Sequence, residues 1–380
     1  MVRTGYLTQQ EKAGTIPLWK EAFPEDGPGF LGYYYKEKTR DNRILAAWEE
    51  EPEEQHNPTG NQGQEQAGSR RILSMIHRNP YRLWIHGRVI DSDYIVAVAT
   101  AKDRRHQGLM RMLMNQMLED MYREGMPFCY LMPADRRIYE PFQFAYIYDQ
   151  EHWSLKEEAE RQLKKEQAGL KEAKKAARWM EGWLEERYGV FAVRDRNYVK
   201  RLMAELESEG GWMEFLFQEK TDSSPEEGEG CPGVSPAGIR CWWGLEKREQ
   251  RMLLCREEYR ETRKERTPAI MARITELTKC LELVHLKRDS SLDEMELILQ
   301  VEDKQCPWNN GSFLWRIGKE RSKAVKMEEP CEAASPGILC LPMEIGTLTQ
   351  RIFGYGQPKG PEDVWQDIDT WKDVFLDEIV

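Results

Sequence analysis

The sequence predicts an α+β protein of two or three domains, with mixed, mostly antiparallel sheets and packed helices. Three observations lead there. The chain has 380 residues, and a domain commonly takes about 100–200. Short strand-like runs follow one another with turn residues between them: ILAAWE, ILSMIH, YRLWIHG and YIVAVAT, then WMEFLFQ, RCWWGLE and QRMLLCREEY. Helical patterns alternate with these groups, the clearest starting just past Gly108.

Taken in order, ILAAWE is followed by a polar stretch, Glu49 to Arg71, rich in Gly and Pro. It reads as a long surface loop inside one domain. ILSMIH, YRLWIHG and YIVAVAT read as successive strands separated by turns. YIVAVAT then breaks into a basic loop, passes one glycine and becomes LMRMLMNQMLEDM. There Met110, Leu113, Met114, Met117, Leu118 and Met121 recur at spacings of three and four. That is one apolar helix face, best placed against a sheet, and Gly125 closes the helix as a cap. MPFCYLM is the next strand.

Leu155 to Tyr188, dense in Lys, Glu and Ala, reads as a helical stretch with a solvated face. The first domain boundary falls near Asp149 to Trp153. Pro268 stands where a first helical turn tolerates proline, so AIMARITELTKCLEL reads as a helix opening a third domain. MELILQVED and SFLWRIG read as a hairpin about Asn309 to Gly311.

A net charge of -11 argues against broad nucleic-acid binding. It suits a cationic substrate, and it equally suits solubility alone. No run approaches the roughly 20 apolar residues of a membrane span, and Met1 to Gly14 has no apolar signal core. The eight cysteines form no CxxC pair, so no metal is expected. Together these features suggest a reduced, cytoplasmic protein with no nucleic-acid or membrane partner.

The loop KDRRHQG is the most informative segment. A helix N-terminus presents unpaired N–H groups and a partial positive charge, which together bind phosphate. Arg104, Arg105 and His106 add charge there, and Gly108 admits close approach. The pattern fits a pyrophosphate cradle, although neither GxxxxGK[ST] nor GxGxxG is present. The alternative is an ordinary strand-to-helix loop with solvated arginines.

Residues Arg105 to Met110 resemble the R/Q-x-x-G-x-A/G loop of GNAT acetyltransferases, with Met110 where a small residue is usual. VATAKDRRHQGLMRMLM, followed by YLMPADRRIYEPFQFAY, resembles the enhanced intracellular survival (Eis) family more specifically. Lys102 stands where that family commonly has Pro, and Gln143 where it has Gly. The resemblance implies tandem GNAT-like domains over 1–150 and 151–267, the second without a cofactor loop, and a sterol carrier protein-like α/β domain over 268–380. It also implies acetyl-CoA as co-substrate and a homo-oligomer, hexameric or trimeric.

Site residues follow from the same resemblance. Val98, Ala99 and Thr100 would hold the pantetheine and acetyl group; Arg105, His106, Gln107, Gly108, Leu109, Met110 and Arg111 would hold the pyrophosphate; Ala134 and Asp135 occupy the other cofactor position. Tyr139 matches the general acid, and a phenol with an unperturbed pKa of about 10 can protonate a leaving thiolate. The base implied is the terminal carboxylate, here Val380. The apolar tail VFLDEIV agrees, since a free tail is normally polar; the alternative is a tail merely anchored to its own domain. Asp26 either lines an acidic acceptor pocket or only shapes a turn. The expected activity is N-acetyl transfer to a small-molecule or peptide amine, such as an aminoglycoside-like polyamine or a lysine. The rival from another class is a non-catalytic protein that senses acetyl-CoA or carries an apolar ligand.

Overall fold

The computed structural model describes residues 1–50, 70–218, 235–244, 249–328, 338–356 and 362–378. Its first part runs β1 (Arg3–Tyr6), α1 (Ile16–Ala22), α2 (Pro28–Tyr33), β2 (Arg43–Glu50), β3 (Arg70–Ile85) and β4 (Arg88–Thr100). It continues through α3 (Leu109–Arg123), β5 (Phe128–Leu131), α4 (Arg136–Tyr139) and β6 (Ala145–Leu155). The middle part has α5 (Glu157–Gln162), β7 (Leu163–Gln167), α6 (Ala173–Glu185), β8 (Val190–Ala192), α7 (Arg196–Ser208), β9 (Trp212–Gln218), β10 (Gly238–Trp243) and β11 (Glu249–Cys255). Then come β12 (Arg260–Ile274), α8 (Leu277–Glu282), β13 (His285–Leu286), β14 (Glu294–Glu302), β15 (Gly311–Gly318), β16 (Ser322–Lys326), β17 (Leu339–Glu344), α9 (Ile345–Ile352), α10 (Glu362–Trp365), β18 (Ile368–Asp369) and β19 (Val374–Phe375).

The main sheet has the order β1-β2-β3-β4-β5-β12-β6, with β8 joining the end of β3 and β19 joining β8. A second sheet is β11-β10-β9-β7, and a third is β16-β15-β14-β17. Most pairs are antiparallel; β4/β5, β8/β19 and β14/β17 are parallel. The expected α+β class of mixed sheets therefore holds. No helix among the described residues is long and apolar enough to cross a membrane.

Several expected elements differ. ILSMIH and YRLWI are one strand, β3, with Pro80 opposite Asp93 in its ladder. The turn comes later, at His86 (φ 43) and Gly87 (φ 90), between the paired Ile85 and Arg88. Two central residues with positive φ make the tight hairpin turn whose twist matches the strands. The helical stretch from Leu155 is interrupted: LKKEQ is β7, the edge of the second sheet. Lysine on an edge strand discourages further pairing, so a charged strand there is physically sensible.

Pro268 opens no helix. PAIMARI belongs to β12, which lies between β5 and β6 and is buried from Ala269 onward. A short apolar run buried on both faces carries no period that separates strand from helix. Pro268 is tolerated because β5 pairs only with residues 271–274 and the β6 ladder shifts register next to it. A cut at 267/268 therefore splits a strand of the main sheet. β14 and β15 pair as expected, but the link between them includes a 3-10 turn, Pro307–Asn309, instead of a two-residue turn.

The core is continuous. Leu297, Leu299, Phe313, Trp315, Ile345, Leu348 and Phe353 of the C-terminal part share one buried cluster with Ile44, Met75, Tyr94 and Tyr130 of the main sheet. Cys129, Cys241, Cys255, Cys280 and Cys306 are buried thiols, whereas Cys340 is disulfide-bonded, against the expectation of a fully reduced chain.

Candidate active site

β4 and β5 are parallel neighbours for a short distance only. Their ladder consists of Asp93 opposite Cys129 and Tyr94 opposite Tyr130. β4 runs on to Thr100 without that partner. On its other side β4 carries a bulge: Met75 pairs with Ala99 and His77 with Val96, so Ala97 and Val98 stand against Ile76 alone. Ala97 takes the strain, at φ 50. A bulge bends its strand and re-aims its side chains. Here it accompanies a fork whose mouth lies at the C-terminal ends of two parallel strands. Such ends are where open sheets hold ligands.

Val98, Ala99 and Thr100 line one prong. Ala99 is buried, Val98 and Thr100 are half-buried, and Thr100 shares a 2.9 Å hydroxyl contact with Ser74. The chain then leaves the sheet through residues 101–108. His106 (φ 63) and Gly108 (φ 78) are both left-handed. Gly108 caps α3, no side chain caps it, and the helix bonds begin with Met112 N–H donating to the Gly108 carbonyl at 3.0 Å. The first-turn N–H groups therefore have no helical partner. A Cβ built on Gly108 meets nothing within 4 Å, so a ligand can approach there.

The basic side chains divide. Arg104 is held back by Glu49 at 2.6 Å. Arg105 donates from Nε to the Thr100 carbonyl at 3.3 Å and remains exposed, as do His106 and Gln107. Arg111 is exposed with its guanidinium over the Phe142 ring, 5.4 Å from its centroid. Leu109 and Met110 face inward, with Leu113, Met114, Met117, Leu118 and Met121 buried behind them. Residues 105–111 thus form one turn at the mouth of the fork, with exposed basic side chains beside the start of α3.

Ala134 follows β5 and is exposed. Asp135 caps α4, accepting from the Arg137 N–H at 2.9 Å, and its bonds to Arg137 hold its carboxyl down at about 2. This cap sets the short helix that ends in Tyr139. Tyr139 is buried against Phe144, on the face of the sheet covered by α3. Its hydroxyl has no hydrogen-bond partner among the described residues, and burial pushes it up to about 12. Gln143, where the resembled family has Gly, sits at φ 60. Its side chain accepts from the Lys304 N–H at 2.8 Å, which helps to hold the strained position.

The tail docks on the opposite face. Phe375, Leu376, Asp377 and Glu378 are buried. Tyr94, at the branch of the fork, donates its hydroxyl to the Glu378 carbonyl at 2.8 Å. Tyr198 donates to Glu378 Oε1 at 3.2 Å, and Arg194 lies 3.0 Å from the same oxygen. Arg194 also pairs with Asp377. Burial raises the Glu378 carboxyl to about 7 in spite of Arg194. Val380 lies outside the described residues.

A cavity of about 360 Å³ opens beside Glu378, lined by Lys38, Tyr81, Tyr198, Glu205 and Arg251 among others. Arg251 and Asp377 also line a second cavity, of about 820 Å³. Asp26 is on neither wall. It accepts from the Trp19 indole at 2.7 Å, and burial raises its carboxyl. The cluster Tyr81, Tyr94, Tyr130, Tyr198, Arg194, Arg251 and Glu205 escaped the sequence reading. Its members come from distant segments, and the only local hint was charge inside strand and helix interiors, where charge is rarely buried unless paired.

Residues 4–147 match the family description of the acetyltransferase (GNAT) domain. The head of the chain is a GNAT acetyltransferase domain. Residues 277–363 match the sterol carrier protein domain, so the GNAT head is followed by the tail domain that the resemblance implied. The protein is accordingly an acyltransferase of GNAT type. None of the curated proteins matches the sequence. Solved structures share the fold over the whole length. A GCN5-related N-acetyltransferase from Anabaena variabilis has 15% identity, covers 100% of both chains and gives a TM-score of 0.70. A probable N-acyltransferase from Enterococcus faecalis has 14% identity, with 97% of this chain and 94% of that chain covered and a TM-score of 0.70. Eis1 from Mycobacterium abscessus has 9% identity, covers 100% of both chains and gives a TM-score of 0.64.

Proposed function

We propose that this GNAT enzyme uses acetyl-CoA to acetylate an amine. The observation that carries the proposal is the fork: β4 parts from β5 immediately after Tyr94, and the docked tail is bonded to that same tyrosine. The residues at the fork suit the co-substrate. The α3 turn offers N–H groups and open space at Gly108 for a pyrophosphate. Val98 to Thr100 offer strand backbone to a pantetheine. Acetyl-CoA supplies an activated thioester; the chain's own groups hold and polarise it and move protons.

In this reading the amine arrives from the tail face, and Tyr139 stands on the other face at the sulfur end. The amine nitrogen forms a bond to the thioester carbon while the C–S bond breaks. The ammonium proton passes to the carboxylate of Val380, and the thiolate takes a proton from Tyr139. An N–H of the β4 bulge polarises the carbonyl. The working division is 1–150 for cofactor, 151–267 for bracing the tail and 268–380 for supplying it, with β12 shared. Assembly into hexamers or trimers belongs to the same proposal.

The test is CoA release from acetyl-CoA with a panel of amines, for wild type and for a chain extended by one glycine beyond Val380. Turnover in wild type and a loss of about 100-fold or more on extension support the proposal, since a positioned proton acceptor is worth about 10²–10⁴-fold. Equal rates in both remove the terminal carboxylate from the mechanism. No release with any amine removes the activity.

A further inference from the structure

The net charge of the chain suggests an acidic pocket for a polycation, but the cavity beside the tail is not built that way. Its buried charges are of both signs. Lys38, Arg194 and Arg251 stand in or just behind its wall against Glu205, Asp377 and Glu378, and each of the six is at least nine-tenths buried. At the rim Arg82 pairs with Asp195 at 2.5 Å and Arg201 with Asp41 at 2.7 Å. The lining carries six acidic side chains, Asp41, Asp91, Asp93, Asp195, Glu205 and Glu378, against four basic ones, Lys38, Arg82, Arg201 and Arg251, so a polycation entering here would meet cations as well as anions.

Inside, certain atoms lack partners. Among the described residues, Glu205 Oε1, Glu378 Oε2, and Nε and Nη1 of both Arg194 and Arg251 make no hydrogen bond. Glu205 spends its other oxygen on the Tyr33 hydroxyl at 3.3 Å, and Arg251 lies 3.8 Å from Asp377, too far for a hydrogen bond. Buried polar groups are nearly always satisfied, so unsatisfied ones on a cavity wall point to a ligand. Of these, the groups on residues that line the cavity are two carboxylate oxygens and Nε and Nη1 of one guanidinium, Arg251. The oxygens accept from an ammonium; the guanidinium is shaped to hold a carboxylate.

We propose that this cavity is the acceptor site and takes an amino-carboxylate, with the amino group at Glu205 and Glu378 and the acid group at Arg251. An amino acid is the simplest member of the class. The proposal rests on the acetyl-transfer reading for its chemistry, but not for its binding. A site built around a buried guanidinium discriminates strongly against an analogue that leaves it unpaired. Decarboxylated counterparts of the acceptor therefore bind poorly.

The probes are the twenty common amino acids together with cadaverine, putrescine, tyramine and phenethylamine. Two readouts are taken with the full-length chain: the melting temperature in saturating CoA, and CoA release from acetyl-CoA. At least one amino acid is expected to raise the melting temperature and to exceed its decarboxylated partner in kcat/KM by about 100-fold or more. Arg251→Met is expected to erase that ratio through the KM for the amino acid. Amino-acid binding without CoA release would sink the transferase reading and leave the cavity standing as an amino-carboxylate binding site. Equal turnover of an amino acid and its amine would do the reverse. The assignment is also overturned if no amino acid shifts the melting temperature, or if Arg251→Met depresses both substrates equally.

Discussion

The main sheet and the C-terminal sheet each contain a parallel strand pair with a helix following one strand, and they treat it in different ways. β4 and β5 pair at two positions and then part. β14 and β17 pair at six, from Leu297/Leu339 to Glu302/Glu344. β4 reaches its helix through residues 101–108, with two left-handed positions and no side-chain cap. β17 passes from Glu344 straight into α9 at Ile345, which is fully buried. Neither helix has a side-chain cap, but the first junction is open at its glycine, where a Cβ would meet nothing within 4 Å, whereas the second buries the first residue of its helix.

The largest effect that sharpens this contrast is chemical. Tyr139→Phe is expected to lower kcat by about 10²–10⁴-fold, the usual worth of a positioned acid, while the dissociation constant for acetyl-CoA stays unchanged. Steady-state kinetics with isothermal titration decide it. Next, Leu299→Ala in the closed pair is expected to lower stability by about 2–5 kcal/mol through the cavity it leaves. It should not move the KM for acetyl-CoA. Gly108→Val at the open junction is expected to do the opposite. Its strain is confined to one left-handed residue, about 1–3 kcal/mol, yet acetyl-CoA affinity drops at least tenfold by about the same energy scale. If both variants changed stability alone, the two junctions would be equivalent and the contrast would fail.

The smallest effect concerns the tail. The Glu378 carboxyl rises from 4.5 to about 7 on folding, chiefly by burial. Between those values the folded chain binds a proton that the unfolded chain has released. Stability from this group is therefore complete below about pH 4.5 and is lost as pH rises through about 7. Glu378→Gln, which stays neutral, is expected to remove that decline. The stability difference between variant and wild type should grow in the variant's favour by up to a few kcal/mol across the window, at about 1.4 kcal/mol per unit shifted. Denaturant melts at pH 4.5, 6 and 7.5 check this, and a difference that stays flat contradicts it.

What could be read from the sequence tracks how local each feature is. The α3 face was legible because Met110 to Met121 repeat at helical spacing, and all of it faces the main sheet as expected. The 105–111 turn was legible because its glycine and basic residues are contiguous. β12 was misread because PAIMARI is buried on both sides, which erases the alternation that marks a strand. β7 was misread because the edge of a sheet is as charged as a solvated helix. The charged cavity was invisible for a different reason. Lys38, Glu205, Arg251 and Glu378 are brought together only by the docking of α7, β11 and the tail. Asp26 was weighed as a pocket wall or a turn, and the structure gives its carboxylate to Trp19.

The most direct measurement is a crystal structure with bound CoA. The pantetheine is expected between β4 and β5 beyond Tyr94 and Tyr130, alongside Val98 to Thr100, with the pyrophosphate on the N–H groups of the 105–111 turn. CoA bound elsewhere, or a fork closed by a continued β4/β5 ladder, would contradict the account.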